Sequence, residues 1–260
     1  MAYTDIIVER KERAAWITLN KPAVKNAMGR QTLADLLSAF DEIRQEPLVA
    51  VTVIEGAGRN FCTGMDLREI PGPTGPGAEE FTRLADQVFL GIEKFNKVTV
   101  AVIRGYCLAG GLEIALGCDF VLAEENSRIG DGHINLPGFV PNGGASIRLP
   151  RLLGTRKAKE LLLTGDIISG KEAERLGLVN TALPAEKLDT AVSALVAKLC
   201  EKSPLGLEYM KKLINASGEC SLETGLLMER STVKHLRATA DCAEAEAARR
   251  DKRKPKFTGK

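Results

Sequence analysis

The segment Val98–Cys118 reads VTVAVIRGYCLAGGLEIALGC. Its first six residues, Val98–Ile103, are almost continuously apolar and rich in β-branched side chains, the pattern of a strand buried on both faces. Gly110 and Gly111 then mark a tight turn, and the chain continues as an apolar helix. The twenty-one residues carry only two charges, Arg104 and Glu113. A carboxylate in so apolar a setting is costly unless it is paired, neutralised or used. The start of the helix presents unpaired N–H groups and a positive dipole end, which can hold an anion or a developing oxyanion. An oxyanion donor beside a shielded carboxylate points to acyl chemistry.

Outward from this segment, strands and helices alternate. Ile6–Val8 and Ala14–Leu19 read as paired strands around the charged turn RKER. Leu33, Leu36, Leu37 and Phe40 recur at helical spacing, and Val49–Ile54 is an apolar strand. Pro71–Gly77, PGPTGPG, is a loop of the kind that covers sites. A helix over about 78–95 follows it. Beyond Val98–Cys118 the pattern predicts a strand near Phe120–Leu122, a long Gly- and Pro-rich connection over 130–144, helices over 145–153 and 155–163, and a strand over 178–181. From Ala185 onward the pattern is helical. The fold class is therefore α/β, divided into a core over 1–195 and a helical region over 196–260.

The 260 residues are 44% apolar and 27% charged, the balance of an ordinary soluble globular protein. The net charge of +2 is uneven: Arg249–Lys260 carries +6 and the remainder −4. The six cysteines form no CxxC pair, and no secretory leader is evident at Met1, so they read as free thiols of a cytoplasmic protein. With His133 and His235 as the only histidines, a His-rich metal site is excluded. Four glycines and two charges within 98–118 argue against a membrane span.

In order along the chain come LNKPAVKNAM (Leu19–Met28), FCTGMDL (Phe61–Leu67), AVIRGYCLAGGLEIALGCDF (Ala101–Phe120), PNGGASIRLPRLLGTRKAKELLLTGD (Pro141–Asp166), SGKEAERLGLVN (Ser169–Asn180) and DKRKPKF (Asp251–Phe257). As an ordered set they resemble the crotonase, or enoyl-CoA hydratase/isomerase, family over nearly the full length. The resemblance implies a spiral of ββα units, with a C-terminal helical region that builds homotrimers, often paired into hexamers. It also implies an acyl-CoA substrate and no cofactor beyond the coenzyme A that the substrate itself carries.

By the same resemblance, the backbone N–H groups of Met65 and Gly110 hold the thioester oxygen, and Glu113 falls on the first of two catalytic glutamates of hydratases. Where the second would stand, the chain reads Gly130-Asp131-Gly132-His133. His133 takes the glutamate's place by count, Asp131 and Asn135 remain alternatives, and Asn142 is a further polar candidate. An imidazole near its ordinary pKa of about 6.5 can exchange a proton with water or carbon.

Hydration of a 2-enoyl-CoA is the leading expectation. The missing second glutamate leaves open isomerisation, C–C cleavage, thioester hydrolysis, or a non-catalytic CoA- or RNA-binding protein. Lys25 and Arg68 fall where relatives line the nucleotide, and Lys252 and Phe257 of the tail fall where a neighbouring subunit reaches it. A basic tail also attracts nucleic acid, but the rest of the chain is net acidic with only 5% aromatics, which gives such a surface weak support. Asp119 reads as structural, and Cys62, Cys107 and Cys118 as packing residues.

Overall fold

The computed structural model describes residues 3–72, 75–136 and 139–260. The middle of the expected PGPTGPG loop and part of the long 130–144 connection lie outside the described residues.

Two strands open the chain, β1 (Ile6–Lys11) and β2 (Ala14–Leu19), paired antiparallel across the two-residue turn at Glu12 and Arg13. After helix α1 (Arg30–Arg44) come β3 (Val51–Gly56), helix α2 (Ala78–Glu93) and β4 (Val98–Ile103). A short strand β5 (Tyr106–Leu108) leads into α3 (Gly110–Gly117), then β6 (Phe120–Glu124) and the short β7 (Arg128–Gly130). Helices α4 (Ala145–Leu153) and α5 (Thr155–Thr164) are followed by β8 (Ile168–Ser169), α6 (Gly170–Leu176) and β9 (Thr181–Leu183). Four helices end the ordered pattern: α7 (Ala185–Cys200), α8 (Pro204–Ser217), α9 (Leu222–Arg237) and α10 (Ala240–Arg250).

Six strands form one sheet in the order β1-β2-β3-β4-β6-β9, parallel except for β1 with β2. The short strands form a second sheet, β5-β7-β8. The chain advances as a spiral in which large-sheet strands alternate with helices, and the short strands β5 and β7 come between strand and helix after β4 and β6. Alternation along β4 explains its sequence. Val98, Val100 and Val102 face the α7 side with Leu188, Val192, Val196 and Leu199, whereas Ala101 and Ile103 face the helices α1, α2 and α3. Both faces are buried, so the strand has no polar face to show.

Asp119 acts as the structural residue expected. Its Oδ2 accepts from the Thr99 N–H at 2.8 Å and the Thr99 hydroxyl at 2.9 Å, and pairs with the Lys211 ammonium at 2.8 Å. Lys211 is buried, and its Nζ also donates to the Lys97 carbonyl at 3.1 Å. One carboxylate thereby joins the start of β4, the end of α3 and helix α8. Helix α9 has no buried residue, and Leu222, Leu226, Leu227 and Val233 on it are exposed. No helix among the described residues is long and apolar enough to cross a membrane.

Removing one partner of a buried ion pair leaves the other charged and unpaired. Asp119→Ala should therefore lower the unfolding free energy by about 3–5 kcal/mol in urea denaturation. A loss below about 1 kcal/mol, typical of exposed pairs, would show that water screens Lys211.

Candidate active site

The ribbon at residues 62–66 lies between two neighbours. Cys62 bridges Cys107 at the edge of β5, while Met28 donates to the Gly64 carbonyl and accepts from the Asp66 N–H, both at 2.8 Å. Residue 65 lies between those two bonds, so its own N–H points away from Met28, and it has no acceptor among the described residues. On the other side stands the start of α3. A Cβ placed on Gly64 would lie 2.9 Å from the Ala109 Cβ and 3.1 Å from the Gly110 nitrogen, and Gly64 itself has φ +98°. Only glycine lets the ribbon approach so closely in that conformation. Gly110, as the first residue of α3, has no intrahelical acceptor for its N–H. Residue 64, the neighbour of Met65, is thus packed against the start of α3 at Gly110. Ala109, which turns the chain into the helix, sits at φ +48° and ψ −121°, a strained conformation for a residue with a side chain.

Glu113 follows one turn into α3 and is 2% exposed. Its Oε1 accepts from the Gly143 N–H at 2.6 Å and the Ala145 N–H at 3.2 Å, at the start of α4. Burial raises its pKa above the ordinary carboxylate range. The two amides and the nearby His133 pull the other way, and Asp131 adds to the rise.

His133 opens a single helical turn, His133–Asn135. Its Nδ1 lies 2.8 Å from Asp131 Oδ1, which also accepts from the His133 backbone N–H at 3.1 Å. A carboxylate can only accept, so Nδ1 carries a proton and Nε2 is the uncommitted nitrogen. Burial alone depresses the imidazole pKa, but the hydrogen bond and charge of Asp131, with the charge of Glu113, leave it raised. Asp131 is buried behind the ring. Asn135 donates to the Gly165 carbonyl at 3.1 Å, closing the end of α5.

Met65, Glu113, Asp131, His133 and Asn142 all line one cavity of about 380 Å³. Its remaining wall is mostly apolar, with Phe81, Ala85 and Phe89 from α2 facing Leu136, Phe139 and Val140. The stretch that follows the Pro/Gly loop therefore does supply a wall. A larger cavity, about 570 Å³, lies between α3, α4 and α8. Its Asp119 and Lys211 are paired with each other and its Arg148 with Glu93, which leaves it no poised acid–base group.

Lys25 stands beside the ribbon, its carbonyl 3.4 Å from the Thr63 hydroxyl and its ammonium 4.9 Å from the centre of the Tyr106 ring. Arg68 forks onto Asp66 at 2.7 and 2.9 Å, and its side chain is 73% exposed. The tail lies elsewhere. Gly259 packs on Pro47, Thr258 and Gly259 donate to Asp241 at 2.7 and 3.0 Å, and Phe257 lines a separate cavity together with Arg13 and Cys200. Arg13 and Pro47 precede β2 and β3, whereas residues 65 and 110 lie past the opposite strand ends. Neither Lys252 nor Phe257 lines the cavity of its own chain. Burial pushes the Cys62 and Cys118 thiols up to about 12, as suits packing residues. Gly143, Ala145 and Arg148 had no assigned role in the sequence. The available signal was a second Gly-Gly at a helix start, the device already recognised at 110–111.

Replacing Ala109 by glycine should relieve about 1–3 kcal/mol of backbone strain against a chain-entropy penalty of about 0.4–1 kcal/mol. The expected net gain of about 1 kcal/mol would appear as a rise of a few degrees in the thermal midpoint. A fall would show that the Ala109 methyl contributes more by packing than its conformation loses.

A family model described as enoyl-CoA hydratase/isomerase matches residues 9–260. A crotonyl-CoA hydratase of Syntrophomonas wolfei is 33% identical, with all of both chains aligned. A probable enoyl-CoA hydratase of Mycobacterium tuberculosis is 36% identical over 99% of each chain. The crystal structure of an enoyl-CoA hydratase from Bacillus anthracis superposes with a TM-score of 0.93 at 30% identity, covering 99% of this chain and all of the other.

Proposed function

Because the chain belongs to the enoyl-CoA hydratase/isomerase family and has its crotonase fold, we propose that it adds water across the double bond of a 2-enoyl-CoA, giving a 3-hydroxyacyl-CoA. The observation that carries this reading is a buried carboxylate and a carboxylate-backed imidazole lining one cavity together with residue 65, whose N–H has no acceptor among the described residues.

In this reading Glu113, as carboxylate, takes a proton from water while the water oxygen bonds to the β-carbon. The π electrons move toward the thioester oxygen, and the Met65 and Gly110 N–H groups hold the resulting enolate charge. Such donors act on charge that develops in the transition state, and losing one lowers turnover by about 10²–10³-fold. His133, protonated, delivers a proton from Nε2 to the α-carbon. The proton taken up by Glu113 and the one given by His133 balance, so the sum is addition of one water. The step is redox-neutral and calls for no group beyond the substrate's coenzyme A. Asp131 is a positioning residue that fixes the ring and favours its charged form.

Lys25 and Arg68, beside the ribbon, are suited to the phosphates of the coenzyme. Lys252 and Phe257 do not line the cavity of their own chain, and the family resemblance assigns them to the nucleotide of a substrate bound by a neighbouring subunit. The uncovered apolar side of α9 supports association with further copies of the chain, as a homotrimer or hexamer. A cytoplasmic location accords with this metabolic role.

Loss of the enoyl-thioester absorbance of crotonyl-CoA tests the reaction. Turnover should be abolished by Glu113→Gln and lowered about 10²–10⁴-fold by His133→Asn. The productive form has Glu113 ionised and His133 protonated. The rate should therefore fall as pH drops through the raised pKa of Glu113, and fall again as pH climbs through the raised pKa of His133. His133→Asn should erase the alkaline limb. An alkaline limb unchanged in that variant would remove His133 from proton transfer, and unchanged absorbance with short, long and aromatic enoyl-CoAs would exclude hydration.

A further inference from the structure

The motif Pro141–Gly154, PNGGASIRLPRLLG, contains an arginine that the proposed reaction does not use. Arg148 lies on α4, one turn past the amides that hold Glu113, and is largely buried, with its side chain 15% exposed. Its guanidinium is committed on three sides. One terminal nitrogen donates to the Gly143 carbonyl at 2.6 Å. The other donates to the Phe89 carbonyl at 3.1 Å and to Glu93 at 2.7 Å, and Nε adds a second bond to Glu93 at 2.9 Å. The planar fork therefore locks residue 143 to the last two turns of α2.

Gly143 is held from both ends. Its carbonyl accepts from Arg148, and its N–H donates to Glu113 Oε1 at 2.6 Å. No side chain fits there, since a Cβ would lie 2.7 Å from Glu113 Oε2 and 2.7 Å from the Phe89 ring. The same ring lines the cavity. The Gly143 backbone is thus wedged between the carboxylate, the aromatic wall and the arginine.

We propose that Arg148 is a positioning residue of the active site: by fixing the Gly143 backbone it sets where the Glu113 carboxylate stands against the substrate. The proposal rests on the reading of Glu113 as the base, and it assigns to a side chain outside the cavity the geometry of the group inside it. An arginine is suited to this because one rigid plane reaches three acceptors at once, whereas a lysine reaches them only by turns. Loss of the clamp lets residue 143 drift, and a shift of about 1 Å in a reacting group costs about 10²-fold in rate.

Charge enters as well. The ionisable groups around Glu113 are Asp131 and His133 from the 131–135 turn, with Arg148 on α4 and Glu93 on α2 behind Gly143. Glu93 offsets the guanidinium charge, so the influence of Arg148 on Glu113 runs mainly through the Gly143 N–H. That bond favours the ionised carboxylate, and weakening it raises the Glu113 pKa.

The test compares Arg148→Ala, Arg148→Lys and Glu93→Gln. Arg148→Ala should lower kcat about 10–100-fold with KM within about twofold, and should move the acid limb of the pH profile upward. Arg148→Lys, which keeps one donor for the Gly143 carbonyl, should recover part of both effects. Glu93→Gln breaks the ion pair but leaves the bond to Gly143, so it should lower the melting temperature while kcat stays within about threefold, and with the guanidinium charge no longer offset the acid limb should not move upward. Equal losses of kcat in Glu93→Gln and Arg148→Ala would overturn the proposal and leave Arg148 as a staple between α2 and α4.

A second readout does not depend on turnover. The Glu113 carboxyl can be titrated directly by carbon NMR of glutamate-labelled protein, with its signal assigned by Glu113→Gln. Its pKa should rise in Arg148→Ala and lie nearer wild type in Arg148→Lys, and an unmoved pKa in Arg148→Ala would overturn the proposal even if the enzyme proved inactive on every enoyl-CoA. Inactivity of the wild type with a shifted pKa would instead refute hydration and leave the Arg148 linkage standing.

Discussion

A single carboxylate, Glu113, is buried in the wall of a mostly apolar cavity and held by two main-chain N–H groups. Much of the surrounding structure follows from that constraint. An ionised carboxylate cannot remain in such a place without donors. The donors are the first residue of α4, where a helix leaves amides unpaired, and Gly143 just ahead of it. To bring that helix end within 2.6–3.2 Å, residue 143 must be a glycine and α4 must be tied to α2. Facing it, the same logic recurs at the start of α3, where Gly64 lets the ribbon touch Ala109 and the Gly110 amide. Both helix starts direct N–H groups at negative charge. At α4 that charge is permanent and belongs to the protein, and at α3, on the proposed reaction, it appears only on the substrate.

The parts of the fold legible in the sequence are those with long, one-sided patterns. β4 was readable because burial on both faces leaves six residues whose one polar member, Thr99, is itself β-branched and buried. Helices α4 and α5 were placed almost to the residue because Gly144, Gly154 and Gly165 delimit them. The second sheet was not legible. β5 and β7 have three residues each and β8 has two, too few for a period of two to register. The strand expected over 178–181 lies at 181–183, since Leu178 and Val179 are buried in the core just before pairing begins. Without the short strands the ββα repeat could not be seen, and the spiral rested on resemblance to the family. Lys211 was equally invisible: on a helix with Lys212 beside it, nothing in the sequence separates a buried ammonium from a solvated one.

The candidate site was legible where it is built from main chain and a single apolar helix. Glu113 stood out because its neighbours left it no exposed face. The amides at 65 and 110 came from ordered motifs, and Gly64, beside Met65, packs against the start of α3. The Asp131–His133 pairing could be narrowed to three residues but not resolved, because a loop side chain's direction depends on dihedral angles that no periodicity encodes. Arg148 escaped notice for a different reason. A helical arginine in the sequence RLPR reads as a solvated charge, and its importance lies in which carbonyls happen to face it after folding. The tail was legible only through the resemblance, which assigns it to a nucleotide bound by a neighbouring subunit.

Charge balance gives a physical account of why His133 comes with Asp131. Hydratases of this family, as the resemblance implies, place two glutamates at the reacting double bond. For one to act as base and the other as acid, one must be ionised and the other protonated, a net charge of −1. A histidine alone in the second position would, when protonated, bring the site to zero. Burial would then favour the neutral imidazole, which lacks the proton to give. Asp131 behind His133 restores the total to −1 and reverses that preference: its hydrogen bond and charge, with the charge of Glu113, outweigh burial and raise the imidazole pKa. In a glutamate pair, repulsion keeps the acid protonated. Here attraction between Glu113 and the imidazolium does so, and it favours the ionised base at the same time. The two arrangements reach the same protonation state from opposite signs of interaction. On the proposed assignment, the substitution at position 133 is therefore compatible with water addition only because position 131 holds an acid.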